Sequence, residues 1–161
     1  RPVGGARREP PRQGVILNNL YLIARIADTR VALRSAIIES VVTVGDIVAV
    51  PGAPPHVAGL FALRSRVLTL IDPHIVLGIS PTVVTPGQRV IVVEIGGHGY
   101  ALLADRIEDV CFIDGGENAV RGRLAEGWTE LADSVIEHEG ATLLVLDPAR
   151  LVTLPMQQRA A

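Results

Sequence analysis

Apolar residues fall in short unbroken runs along this chain, and turn-forming residues separate them. Tyr21–Ile26 and Arg89–Ile95 are rich in aliphatic and β-branched side chains and predict strands. A turn follows each, Ala27-Asp28-Thr29 in one case and Gly96-Gly97-His98-Gly99 in the other, and a return strand begins at Val31 or Tyr100. In Arg34–Val42, the spacing of Ile37, Ile38, Val41 and Val42 suits a helix of one or two turns and a bent strand equally well. Pro51-Gly52-Ala53-Pro54-Pro55 marks a loop. Val67–Ile71 and Thr142–Leu146 are continuous apolar stretches, the pattern of central strands buried on both faces. Asp72-Pro73 and Asp147-Pro148 follow them directly. An Asp side chain accepts from the free N–H groups of a starting helix, and Pro loses nothing at the first helical position. Short helices are therefore expected from Pro73 and Pro148, the first ending near Gly78.

The pattern occurs twice. Residues 26–44 align without gaps on residues 95–113 at a spacing of 69, with identities at Ile26/Ile95, Ala32/Ala101, Leu33/Leu102, Ile38/Ile107, Glu39/Glu108 and Val41/Val110. Residues 68–77 align on 143–152 at a spacing of 75, Asp72-Pro73 on Asp147-Pro148. A duplicated module of about seventy residues is the simplest account. Short strands in halves of this size predict small β-barrels rather than a parallel sheet. The expected organisation is a basic flexible tail over 1–18, a first β subdomain over 19–84, a second over 85–155 and a short tail over 156–161.

Composition and charge narrow the function classes. Of 161 residues 48% are hydrophobic, enough to bury a core and too many for a disordered chain. Every apolar run is broken well before the ~18 residues of a membrane-spanning helix. One cysteine, Cys111, rules out a disulfide framework and points to a reducing compartment. No signal peptide opens the chain, and neither does Met, as fits a processed product or a piece of something larger. The net charge of −2 conceals an asymmetry. Residues 1–14 carry Arg1, Arg7, Arg8 and Arg12 against Glu9, whereas 85–161 hold six Arg and twelve acidic residues. A small-barrel nucleic-acid binder would need a basic, aromatic-lined face, which this distribution opposes.

Candidate chemistry is sparse. Asp72 and Asp147 are better read as helix caps than as a catalytic pair. His56, His74, His98 and His138 are scattered and stand in no metal-ligand motif. His98 is expected to be exposed at a hairpin tip, and Cys111 to be a buried structural thiol. Gly96–Gly99 lacks the spacing of a dinucleotide-binding loop. No enzyme activity, cofactor or metal is expected. Arg64 differs from these. It closes the apolar segment Gly59–Leu63 just ahead of a central strand, with Ser65 and Arg66 beyond it. It reads either as a solvated turn residue or as a recognition arginine aimed at a partner's carboxylate.

The quoted segments resemble the CheW-like domain family of bacterial chemosensory signalling over about residues 19–154. The resemblance rests on Tyr21-Leu22-Ile23, Ala32-Leu33, Ile38-Glu39-Ser40-Val41 and the block from Pro51 to Asp72, and in the second half on Tyr100–Ile107 and Leu144–Asp147. Ser65 stands where the family has Gly, Thr69 where it has Pro, and the acidic stretch from Glu126 to Glu139 is unlike the usual second half. The resemblance implies a mainly β fold of two SH3-like five-stranded barrels packed together, with a few short helices. It implies a non-enzymatic adaptor that couples chemoreceptor cytoplasmic hairpins to the regulatory domain of a CheA-type histidine kinase. Such an adaptor would be cytoplasmic, at membrane-associated receptor arrays. The regulatory domain of a CheA-type kinase is the alternative within the same family. The implied partner-binding residues are Ile37, Glu39, Val41 and Arg64.

Overall fold

The computed structural model describes residues 19–125 and 127–153. Tails 1–18 and 156–161 lie outside the described residues. Ten strands and two short helices follow one another as β1 (Leu20–Ile26), β2 (Thr29–Arg34), β3 (Ile38–Thr43), β4 (Val57–Leu63), β5 (Arg66–Ile71), α1 (Pro73–Val76), β6 (Arg89–Ile95), β7 (His98–Leu103), β8 (Arg106–Phe112), α2 (Trp128–Leu131), β9 (Ala132–His138) and β10 (Ala141–Leu146). Residues 148–153 are again helical. The ambiguous stretch after β2 resolves into a 3-10 turn, Ser35–Ile37, followed by a strand. Tight two-residue turns make both first hairpins, so the return strands start at Thr29 and His98, earlier than the apolar pattern suggested.

Two five-stranded sheets result, ordered β8-β1-β2-β10-β9 and β3-β6-β7-β5-β4. The duplication is visible strand by strand: β1, β2 and β3 match β6, β7 and β8 at a spacing of 69, and β4 and β5 match β9 and β10 at 75. The boundary at 84/85 separates the two copies along the chain, but it does not separate the two sheets. Each sheet takes its first hairpin from one copy and its other three strands from the other copy. Parallel pairing of β2 with β10 and of β5 with β7 stitches the copies together.

The hydrophobic layers explain this exchange. In β1, Leu22, Ala24 and Ile26 face a central core, while Tyr21 and Ile23 face a second one. In β6, Ile91 and Val93 join the same central core, while Val90 and Val92 face a third. Each sheet thus curls around its own apolar filling and shares the layer between the sheets. A strand buried on both faces has no polar side to show, which produces the unbroken apolar runs. At ~25 cal/mol per Å², burial of such side chains is the dominant favourable term.

Both Asp-Pro pairs cap helices. The Asp72 carboxylate accepts from the N–H of His74 at 3.1 Å and from the N–H and hydroxyl of Thr82 at 2.8 and 2.7 Å. Asp147 accepts from the N–H of Ala149 at 3.1 Å. Gly78 takes a positive φ of 77° just past α1, as a helix stop requires. Cys111 corrects its expectation: it is half-buried, not buried, because β8 is the end strand of its sheet. Desolvation, then the carboxylates of Asp109 and Glu139, push its thiol pKa up, which disfavours the nucleophilic thiolate.

Candidate functional site

A groove of about 520 Å³ opens between β3 and the β4–β5 hairpin. Glu39, Ser40, Val41 and Val42 line one wall, and Leu63, Arg64, Ser65 and Arg66 the other. Leu63 pairs with Arg66, so Arg64 and Ser65 form the whole turn. The left-handed conformation falls on Arg64, at φ 58°, and not on Ser65. Serine in place of the family's glycine is therefore tolerated, and the strain sits on the arginine. A non-glycine residue held there costs on the order of 1 kcal/mol and marks a position constrained by its surroundings. The Arg64 side chain is exposed, and among the described residues it has no carboxylate partner.

Arg66 behaves otherwise. Its guanidinium lies across Gly99 of β7, where an added Cβ would meet Nη2 at 2.6 Å, and it pairs with Glu39 of β3. The pair neutralises both groups and braces the groove. Sequence reasoning assigned Arg66 no part, because nothing in the chain's spacing joins residues 39 and 66. Val41 lines the groove and also packs against the central core. Ile37 is not in the groove. It sits in the 3-10 turn ahead of β3, 39% exposed. The structure thus brings Glu39, Val41 and Arg64 together and leaves Ile37 beside them on the chain.

The remaining polar residues take structural places. His98 is exposed, and its ring nitrogen lies 3.2 Å from Thr69 Oγ1, at the position where the family has proline. His74 Nε2 lies 2.6 Å from Asp105 Oδ1, and Asp105 Oδ2 accepts from the N–H of Ala27 at 2.7 Å. Among the described residues no group of three His, Cys, Asp or Glu side chains is placed to hold a metal ion. None of the described helices is long and apolar enough to cross a membrane.

The family model for the CheW-like domain matches residues 20–156. The chain belongs to the CheW-like domain family. Among solved structures, this CheW-like domain is similar to the scaffolding protein TtCheW from Thermoanaerobacter tengcongensis. The TM-score is 0.72 at 20% identity, over 81% of this chain and 89% of that one. The likeness extends the shared fold across both sheets. No curated protein gives a significant sequence match to this CheW-like domain.

Proposed function

We propose that this CheW-like domain is a non-catalytic adaptor that couples chemoreceptors to a CheA-type histidine kinase at the cytoplasmic ends of the receptors. The observation that carries the reading is Arg64: exposed, held in a left-handed turn at the rim of a groove, and without a carboxylate of its own among the described residues. Arginine in such a place offers a planar fork of donors to an incoming carboxylate. Family membership and the likeness to TtCheW, itself a scaffolding protein, support the same reading. Val41 and Val42 supply apolar wall, and the Glu39–Arg66 pair keeps that wall in shape. On the receptor side, Ile37 and Val41 offer aliphatic contacts to the apolar anchors of a helical hairpin.

Assembly of the protein with kinase and receptor fragments tests the proposal. Arg64→Ala is expected to melt like the parent and to weaken assembly by on the order of 2 kcal/mol, roughly thirty-fold. Arg66→Ala releases Glu39 into the groove and is expected to cost less. Ile37→Asp should keep the fold and lose receptor binding, because a desolvated carboxylate would face apolar anchors. Undiminished assembly by Arg64→Ala would overturn the reading and leave the arginine a solvated turn residue.

A further inference from the structure

The duplication places a glutamate at the same point of both end strands, Glu39 in β3 and Glu108 in β8. Arginine neutralises each, but it comes from different strands. Glu108 is met by Arg25 of β1 and by Arg30 of β2, both at 3.0 Å, from the two strands that follow β8 in its sheet. At the spacing of 69 those two arginines are replaced by Glu94 and Gly99, neither of which can pair with Glu39. Arg66 of β5 does so instead, crossing Gly99 to reach it. The counterpart of Arg66 at the spacing of 75 is Ala141. Position 99 decides the exchange. A Cβ there would stand 2.6 Å from Arg66 Nη2 and 2.6 Å from Leu68 Cδ2, so a side chain at 99 and the guanidinium of Arg66 exclude each other.

The two arrangements tie down different parts of the molecule. Arg25 and Arg30 belong to one hairpin, so their bonds to Glu108 hold β8 to β1 and β2 alone. Among the described residues no side-chain hydrogen bond or ion pair runs from β8 to the β9–β10 hairpin. Glu139, at the tip of that hairpin, has its own neighbour His138 at 3.8 Å. Arg66, by contrast, directly follows the β4–β5 turn, and its pair with Glu39 ties that turn to β3 across the groove. Both turns hold a residue other than glycine in the left-handed region, Arg64 at φ 58° and Glu139 at φ 50°. The turn of Arg64 is the one anchored to the end strand opposite.

We propose that Arg66 is the positioning residue for Arg64. With no side chain at position 99, its guanidinium reaches Glu39 and fixes the rim arginine over the groove. The turn of Glu139, with Arg30 in the place of Gly99, is left loose. This assignment rests on the adaptor reading, in which Arg64 meets a partner's carboxylate. The side chains of Arg66 and Glu39 are 40% and 42% exposed. A pair so exposed adds little to global stability, and its effect is local.

Backbone 15N order parameters, together with assembly with kinase and receptor fragments, test this on the full chain. In the parent, Arg64 and Ser65 are expected near the ~0.85 of rigid backbone, and Glu139 and Gly140 below ~0.6. Arg66→Ala should melt within about 2 °C of the parent. It should bring Arg64 and Ser65 down to the values of the other turn and weaken assembly about five-fold, less than Arg64→Ala does. Arg30→Gly with Ala141→Arg copies the Gly99–Arg66 arrangement into the other sheet, and should raise Glu139 and Gly140 toward ~0.85. If that double variant does not fold, Arg66→Ala alone decides. Equal order in the two parental turns, or an Arg64 turn that stays rigid in Arg66→Ala, would overturn the proposal. So would a loosened turn with undiminished assembly, or a Glu139 turn still loose in the folded double variant. Failure of the adaptor reading looks different: the parent itself then binds neither fragment, while the order parameters still decide whether Arg66 holds the turn.

Discussion

The two sheets close their fillings in opposite ways at the same place. The bridge Val48–Leu60 in one sheet corresponds to Asn118–Val135 in the other, which puts Ile47 and Glu117 in equivalent positions. In the β3-containing sheet, Ile47 presses on Gly59 and packs on a core that includes Val90 and Leu103. In the β8-containing sheet, the matching residues are Ser134, Tyr21 and Arg34, and Glu117 ties them together. Its carboxylate accepts from the Tyr21 hydroxyl at 2.6 Å, from Arg34 Nε and Nη2 at 2.9 and 2.5 Å, and from Ser134 at 2.9 Å. Arg34 also reaches Asp133 at 2.7 Å. Duplicated backbones therefore do not require duplicated chemistry: an apolar plug and a satisfied polar latch both seal a curled sheet. The latch must be complete, because a half-satisfied network is worse than none.

Titration behaviour shows how tightly the latch is coupled. Hydrogen bonding from Arg34, reinforced by Tyr21 and Ser134, holds the Glu117 carboxyl down at about 2 against burial. Burial first, and then the bond to Glu117, push the Tyr21 hydroxyl up to about 12. Glu117 in turn raises Arg34. The plug that takes its place in the other sheet, Ile47 on Gly59, carries no titrating group.

The largest expected effect comes from giving the plug one residue of the latch. In Gly59→Ser the new Cβ would meet Ile47 Cγ2 at 2.5 Å and the Val48 carbonyl oxygen at 2.8 Å, at a φ of 149° that suits only glycine. A loss of about 3 kcal/mol is expected in denaturant unfolding, and a near-neutral result would break the contrast between the plug at Gly59 and the latch at Ser134. Next is Glu117→Ala, which strands the Tyr21 hydroxyl and leaves Arg34 with Asp133 as its one remaining carboxylate; about 2 kcal/mol should be lost. A loss no larger than that of an exposed acid such as Asp114→Ala would show the latch to be ornamental.

The last expected effect is a dependence on pH. The unfolded chain protonates Glu117 near 4.5 and the folded chain near 2, so the latch contributes fully above 4.5 and its contribution is lost as pH falls through 2. Stability of the parent should decline over that window, and Glu117→Gln should flatten the decline. At the alkaline end the unfolded tyrosine ionises near 10 and the folded one near 12. Tyr21 therefore contributes up to pH 10 and its share disappears as pH rises through 12. Tyr21→Phe should remove that limb, followed by melting temperature across the series.

Local patterns were legible in the sequence wherever one residue and its neighbours decide the outcome. The strands, both Asp-Pro caps, the stop at Gly78 and the duplication follow from periodicity, capping chemistry and self-alignment, and the CheW-like block located the groove residues Glu39, Val41 and Arg64. Partnering was not legible, because it depends on which strands meet. Only the tertiary structure placed β2 beside β10 and β5 beside β7, so that each sheet mixes the two copies. Nothing in the chain's order says that Arg66 crosses Gly99 to Glu39, or that Glu117 gathers Tyr21, Arg34 and Ser134 from three separate strands. Apolar runs state that a strand is buried on both faces; they carry no information on whose side chains bury it. Ion pairs between residues far apart in sequence leave no periodic trace, since their energy arises from distances that exist only once the sheets have closed.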